Sequence, residues 1–543
     1  MGLSASPGFM QGKYAWLKLL LITAIVLLNG YAIVLMYAGG EYAFALLTLV
    51  VVSTGVYVFL SKKMYAHRYI FPGIAGMVVF IIFPLAYTIG IAFTNYSGTN
   101  LLSLERVEQL HIQKTYMAKG GSFDFQLHQE SEGKYVLALS QDDKYFVTRP
   151  VEVVSNADVR ARKLTLATKR IKLQEVDALP SSEKAPIKEI ISHRQFFNSI
   201  VLVTPNQDEL VMNGLRKFSA MKPLYTRLED GVVLKESGAI LPGPSILRNN
   251  QTGELMLPNM ETGYYQYIDG DGEFVGNRLA PGFTVGVGWK NFERVATDKG
   301  IKEPFIEIFI WTVIFAAASV AFTLAIGMVL ACLIQWEELK GRAIYRVVLI
   351  LPYAIPAFIS ILVFKGLFNQ NFGEINEILN GLFGIKPDWF TDPVMAKSMI
   401  LIVNTWLGYP YMMILCLGML KSIPEDLYEA SAMDGAGPIN NFFNITVPLL
   451  MKPLTPLLVA SFAFNFNNFV LIQLLTNGGP DIIGASTPAG TTDLLVSYTY
   501  RIAFQGDGGQ DYGLASAIAT LIFLVVGALA LINLKLTKAD KAA

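Results

Sequence analysis

Residues Ile308–Ile334 read IFIWTVIFAAASVAFTLAIGMVLACLI, an apolar run without a single charged side chain. A helix needs about 20 such residues to cross the hydrocarbon core of a bilayer. Seven further stretches pass the same test: Trp16–Met36, Tyr42–Leu60, Tyr69–Phe93, Val347–Phe364, Met399–Leu420, Pro453–Leu475 and Gly513–Leu534. Only the first of the eight holds a charge, Lys18, near the end where a lysine can snorkel to the interface. The fifth is short and contains Pro352 and Pro356, which blurs its ends. Composition agrees, with 53% hydrophobic and 16% charged residues, against about 25% charged in a soluble domain.

The net charge is zero, which gives no footprint for nucleic acid. Cys332 and Cys416 both lie inside apolar runs. No disulfide framework is expected, and a domain outside the membrane must fold on its core alone. No small-residue cleavage site follows the first apolar run, so that run is expected to stay as a helix.

Lysine and arginine in the short connections set the orientation. With the N-terminus inside, the cytoplasmic segments hold Lys13, Lys18, Lys62, Lys63, Arg68, Lys340, Arg342, Arg346, Lys421, Lys452, Lys535, Lys538 and Lys541. The short outer loops hold Lys365, Lys386, Lys397 and Arg501. Thirteen against four puts both termini in the cytoplasm and the long segment after the third span outside.

That segment, Thr94–Pro304, is long enough to bury a core, and its charges are frequent. Lys134–Leu139, Tyr145–Val154 and Phe283–Val287 read as strands. Leu241–Ser245 and Pro258–Gly263 read as turns. Helix is expected around Ala157–Val176 and Ser181–Arg194, in a mostly β domain.

Between spans six and seven lies Ser422–Leu450. Ser422 and Glu425 have capping-box spacing, and Pro424 suits a first helical turn. Gly435 and Gly437 suit the end of that helix, and Pro438 can open a second, expected to stop near Pro448. Ala430, Ser431, Ala432 and Ala436 let another chain approach closely, and Glu425, Asp426, Glu429 and Asp434 can pair with a basic surface. The pattern Glu429-Ala430-Ser431, three residues, Gly435, nine residues, Ile445-x-Val447-Pro448 resembles the EAA loop of ABC-importer membrane subunits. Ser431 replaces alanine and Val447 replaces leucine. The resemblance implies that this loop seats on an ATPase subunit, with Glu429, Ala430, Ser431, Gly435, Ile445 and Pro448 in the joint.

The chain itself has no GxxxxGK[ST] phosphate loop. Gly506-Asp507-Gly508-Gly509-Gln510 is superficially similar to an ABC signature, but the orientation puts it outside and a glycine-rich turn explains it. No His/Cys zinc cluster and no G-x-S-x-G elbow occur. No catalytic, metal or cofactor site is therefore expected, and ATP with its magnesium belongs to separate subunits.

Two spans carry polar groups. In Ser461-Phe462-Ala463-Phe464-Asn465-Phe466-Asn467-Asn468-Phe469, one helical face would carry Ser461, Phe464, Asn465, Asn468 and Ile472. Amides that bond hydroxyls beside a ring that stacks on C–H groups suit a sugar. Asparagines also hold membrane helices together, and the residues alone leave both readings open. Span six contains Asn404-Thr405-Trp406-Leu407-Gly408-Tyr409-Pro410-Tyr411. Pro410 is expected to kink or break this helix at mid-depth, where broken helices line cavities; a packing kink with interfacial aromatics is the alternative.

Asn404–Leu415, Glu429–Gly437 and Ser461–Pro480, with the eight-span layout, resemble the MalF family, the larger membrane subunits of maltose/maltodextrin ABC importers. The resemblance implies an all-α polytopic fold of eight transmembrane helices, with a type I importer permease core in the last six and an inserted, mostly β periplasmic domain. The division it implies is residues 1–68, two transmembrane helices and a cytoplasmic loop; 69–93, the third span; 94–304, the periplasmic domain; 305–534, spans four to eight with the coupling loop at 421–452; and 535–543, a cytoplasmic tail. It further implies that Gly408, Tyr411, Ser461, Phe464, Asn465 and Asn468 line a mid-membrane sugar site, with Trp406 and Leu407 beside it. The implied partners are a smaller MalG-like permease subunit, a homodimer of MalK-like ATPase subunits, a periplasmic MalE-like maltose-binding protein, membrane lipid and the sugar.

The rival from another class is an assembly factor or insertase whose periplasmic domain handles proteins, which would need no ATPase. An ion-driven transporter would normally place a carboxylate in the membrane, and seven of the eight spans have no charge.

Overall fold

The computed structural model describes residues 15–131, 133–162, 168–228, 232–233, 240–241, 246–336, 338–506 and 510–542. Lys13, the side chains of Lys18, Lys62, Lys535, Lys538 and Lys541, the turn residues 242–245 and the glycine-rich residues 507–509 lie outside that description. The chain divides into two compact units, Thr99–Val285 and the remainder.

In the remainder, among the described residues, seven helices are long and apolar enough to cross a bilayer: Leu20–Ala38, Tyr42–Leu60, His67–Ala92, Lys299–Gln335, Pro393–Leu420, Pro438–Phe466 and Tyr512–Leu531. An eighth span forms only if Arg342–Ala354 and Ala357–Leu367 count as one, and they meet at 90°. The bend falls at Ile355–Pro356, where proline cannot continue a helix and extends the residue before it.

Span four, Lys299–Gln335, is the central post. Its buried residues Ile308, Thr312, Phe315, Ala316, Ser319, Thr323, Gly327 and Ala331 recur at three- and four-residue steps, one face of a helix. Between apolar helices in lipid, close packing replaces hydrophobic driving force, and small residues permit it. A Cβ on Gly327 would meet the Met413 amide nitrogen at 2.7 Å, and one on Gly408 would meet Thr323 Cγ2 at 2.8 Å. Span six therefore lies directly against span four. Pro410 sits inside Pro393–Leu420 without ending it, contrary to the break expected there.

The unit Thr99–Val285 is mostly β, as its alternating segments predict. Its larger sheet has strands β1 Thr115–Ser131, β2 Lys134–Gln141, β3 Lys144–Thr148, β4 Val151–Glu152, β5 Lys169–Val176, β6 Ile200–Val203, β7 Glu209–Met212 and β8 Lys217–Pro223. Their order is β1-β8-β7-β6-β5-β3-β2-β4, and β1 pairs with β2 as well as β8, closing the sheet on itself. Every pairing is antiparallel except β5 with β6. Phe125 and Leu127, Leu137 and Leu139, Leu202, Leu210 and Phe218 alternate into one core with Phe197. A second, five-stranded sheet runs from Tyr225–Arg227 to Phe274–Leu279.

Two expectations fail in this unit. Of the helix expected over Ala157–Val176, Asn156–Arg162 is helical, residues 163–167 lie outside the described residues, and Lys169–Val176 is β5, whose Ile171 and Leu173 point inward at two-residue spacing. Phe283–Val287 forms no strand; Phe283 and Gly286 make isolated bridges to Leu102 and Thr94. Helix at Ser181–Arg194 is confined to Ile187–Ser192, followed by Arg194–Ser199. The compact unit also ends before Pro304. Residues from Gly286 pack with the membrane helices, where Asn291 Nδ2 donates to the carbonyls of Ala92 and Thr94 at 2.9 and 2.8 Å.

Candidate functional site

The helix that breaks is span seven. The helix Val447–Phe466 ends at Asn467, and a new one starts at Phe469–Leu475. Asn468 caps the restart, its Oδ1 accepting from the Leu471 N–H at 3.4 Å. An asparagine in that place satisfies a backbone donor that lipid could not.

Three asparagines then join two spans. Asn465 Nδ2 donates to the Ser461 carbonyl at 2.9 Å. Asn404 Nδ2 donates to Asn465 Oδ1 and to Ser319 Oγ, both at 2.8 Å. Asn468 Nδ2 donates to Asn404 Oδ1 at 3.1 Å. These amide orientations follow from chemistry. A carbonyl only accepts and a backbone N–H only donates. Asn465, bound to the Ser461 carbonyl through its nitrogen, must turn its oxygen to Asn404. Asn468, bound to the Leu471 N–H through its oxygen, must turn its nitrogen there. Each amide nitrogen has two hydrogens, so Asn465 and Asn468 both keep a donor for a hydroxyl.

The remaining sequence-derived site residues lie on the same two spans. Phe464 and Tyr411 are exposed, at 72% and 39%, which leaves two aromatic faces open in this chain. Ser461 and Gly408 are half-buried. Gly408 serves the contact with Thr323 described above. Trp406 meets Phe364 edge-on at 4.9 Å between centroids, and Leu407 packs into the apolar cluster around Phe315 and Val403. Their positions in this chain are packing positions. Asn404 and Ser319 were missed by sequence reasoning, which weighed the run of asparagines in span seven and passed over single polar residues in other spans.

Beyond the restart, the loop to the last span is pinned to span four: Trp311 Nε1 donates to the Thr492 carbonyl at 3.3 Å, and the Leu495 N–H donates to Thr312 Oγ1 at 3.1 Å. Asp493 is fully buried and accepts from Arg501 Nη1 at 2.9 Å, Ser497 Oγ at 2.8 Å and the Gly490 N–H at 2.7 Å. Burial pushes the Asp493 carboxyl up, against the pull of Arg501 and Ser497. Burial also works against the Arg501 charge, but Asp493 and Asp481 outweigh it and raise its pKa.

The loop between spans six and seven carries the coupling candidates. Its first helix, Glu425–Met433, is preceded by Pro424, and Ser422 Oγ donates to the Met419 carbonyl; the expected capping box does not form. Pro424 itself occupies the N-cap position, and proline has no side-chain acceptor with which to cap. At the other end Gly435 has φ +79°, its N–H bonds to the Ala432 carbonyl, and the Ala436 N–H bonds to the Ser431 carbonyl, both at 3.0 Å. That pair is the Schellman motif, which needs a left-handed residue at this position. Ser431 Oγ donates to Asn441 Oδ1 at 2.6 Å, and Tyr428 and Thr446 share a hydrogen bond of 2.9 Å, tying the limbs together. Glu429, Ala430 and Gly435 are exposed, and so are Met433, Ile439 and Phe443, at 89%, 76% and 64%. The second limb does not stop near Pro448. Ile445 falls in a single π turn at Phe442–Thr446, and Pro448 follows that turn without ending the helix. Helix is continuous over the 29 residues Pro438–Phe466, a length of about 40 Å. The loop and the asparagine ring stand at its two ends.

Comparison with known proteins bears on the whole chain. Residues 102–288 match the P2 domain of the maltose transport system permease protein MalF, and residues 16–63 match the N-terminal transmembrane region of MalF. Residues 323–537 match the inner membrane component of binding-protein-dependent transport systems. The maltose/maltodextrin transport system permease protein MalF of Vibrio cholerae is 58% identical over 526 residues, covering 97% of this chain and 95% of its own. Those of Yersinia pestis and Salmonella typhimurium are each 56% identical, covering 97% of this chain and 96% and 99% of their own. Among solved structures, a bacterial ABC transporter that imports alginate is similar at TM-score 0.40 and 22% identity, over 46% of this chain and 84% of that one. The assembly-factor reading finds no support in these likenesses. The chain belongs to the MalF family of maltose/maltodextrin ABC-importer permeases, inner-membrane transport subunits that hydrolyse no ATP themselves.

Proposed function

We propose that this chain forms part of a sugar path through the inner membrane and couples it to separate ATPase subunits by alternating access. The observation that carries this is the continuous helix Pro438–Phe466, with an exposed acidic and apolar loop at one end and the ring of amides at the other. A loop that moves as a rigid piece at Pro438 displaces Asn465 with it, because a helix transmits motion along its axis. In this reading ATP closes the ATPase dimer, the loop around Glu429 and Gly435 shifts, and the path beside Asn465, Asn468, Phe464 and Tyr411 opens outward. A docked binding protein releases maltose or maltodextrin there, and hydrolysis reverses the motion.

Amides that bond hydroxyls and rings that stack on C–H faces fit a sugar. The Schellman turn and the apolar residues Met433, Ile439 and Phe443 fit docking on a partner of MalK type. A MalG-like permease subunit and a MalE-like periplasmic protein complete the assembly. The lysine and arginine count supports cytoplasmic termini, with the β unit in the periplasm.

Asn465→Ala tests the site. Uptake of labelled maltose by the reconstituted complex should be lost while assembly stays intact; normal uptake would remove the site from Asn465.

A further inference from the structure

We propose that Ser319, on span four, is a positioning residue for the sugar-binding amides, acting through Asn404. The proposal rests on the sugar-site reading and concerns how that site is aimed.

Ser319 is fully buried, and its Oγ takes the second N–H of Asn404 at 2.8 Å. The terminal torsion of an asparagine is soft, with a broad twofold preference. Three bonds fix it in Asn404: Asn465 Oδ1 and Ser319 Oγ on the nitrogen, and Asn468 Nδ2 on the oxygen. Two of those bonds go to the amides that are to hold sugar, so the Asn404 plane sets where their free N–H groups point. Of these three partners, Ser319 is the one that stands on a different helix from the site. It alone among them ties the Asn404 plane to a helix outside the site.

The surroundings leave Asn404 no ready substitute. Ala316 and Phe315 are fully buried beside Ser319, and the Ser319 carbonyl is taken by Thr323 Oγ1 at 2.7 Å. One turn along, Gly408 and Thr323 bring spans four and six to contact distance. Without the hydroxyl, a buried N–H is left unpaired where water does not reach. Asn404 then rotates to recover a bond, and Asn465 and Asn468 turn with it.

A residue that merely held two helices together would affect all sugars alike. A positioning residue affects discrimination between sugars that differ by one hydroxyl. The test uses the whole reconstituted complex with its binding protein, and measures ATP-dependent uptake of maltose and of a monodeoxy maltose. The binding protein's own preference is common to every variant and cancels. Ser319→Ala should narrow the maltose-to-deoxymaltose ratio by about tenfold, the factor a lost buried hydrogen bond gives, with assembly and basal ATP hydrolysis unchanged. Ser319→Cys, similar in size but a poor acceptor, should narrow it too, and Ser319→Thr, which keeps the hydroxyl, should leave it at the wild-type value. An unchanged ratio in Ser319→Ala and Ser319→Cys overturns the proposal, whether uptake falls equally for both sugars or stays normal. Full uptake by Asn465→Ala in the same assay overturns the underlying site reading instead.

Discussion

Gly435→Ala isolates the contribution of one backbone torsion to coupling. Gly435 closes the first loop helix with φ +79°, and a Cβ built there meets no atom within 4 Å. The added methyl therefore costs nothing by collision in this chain. What it does cost is the left-handed conformation, about 1–2 kcal/mol for a residue with a Cβ. The loop proposed to meet the ATPase subunit needs that conformation, because the Gly435 and Ala436 N–H groups close the turn on the Ala432 and Ser431 carbonyls. If docking selects this turn, the strain appears in full as weaker docking, a factor of about 5 to 30. Titrating ATPase subunit into membranes carrying the variant, with sugar-stimulated ATP hydrolysis as the readout, measures that factor. Gly435→Asn should recover much of the loss, since asparagine tolerates the left-handed region. Wild-type coupling in Gly435→Ala, or an equal loss in the alanine and asparagine variants, would refute the torsional argument.

Gly408→Ala should lower the yield of folded chain by placing its Cβ 2.8 Å from Thr323 Cγ2, an overpacking cost of about 1–3 kcal/mol. Adding Thr323→Ser removes the clashing methyl and should restore thermal stability; a double variant no better than the single would show that the contact is not the cause. Asp493→Ala leaves the Arg501 guanidinium without its buried partner and the Gly490 N–H unpaired. A loss of about 3–5 kcal/mol is expected, read as early thermal unfolding of the loop after span seven, and an unchanged melt would contradict it. In the β-rich unit, burial holds the fully buried His111 imidazole down at about 4, with Lys114 adding to the effect. Its folded value lies below the unfolded 6.5. Stability is thus whole above pH 6.5 and falls as pH drops from there towards 4, because only the unfolded chain gains the proton. Hydrogen exchange over Leu104–Ile112 should accelerate through that window, and His111→Phe should flatten the profile.

Much of this was legible in the residues. Long charge-free runs announce membrane helices because lipid allows the backbone no other solution. The coupling loop was legible because Gly435 and Pro438 impose local geometry wherever they stand. The face of span four was not, since a helix apolar all round has no moment to read. Only its small residues Ala316, Ser319, Thr323 and Gly327, spaced by three and four, marked the side that meets span six. Neither Pro410 nor Pro448 ends its helix: the first lies inside Pro393–Leu420, and the second follows a π turn in a helix that runs on. The true break, at Asn467 and Asn468, falls among residues weighed for their amides alone. The helix expected over Ala157–Val176 gave way to β5, where pairing with β3 and β6 overrides local preference. Asn404 was invisible as part of a ring because its partners lie 61, 64 and 85 residues away.

The most direct test of the account is ATP-dependent uptake of labelled maltose into vesicles holding the permease and ATPase partners, with the binding protein on its matching face, in the presence and absence of this chain. The account predicts uptake only when the chain is present, and its loss with Asn465→Ala. Maltose uptake that proceeds equally without the chain, or none from a fully assembled complex, would contradict it.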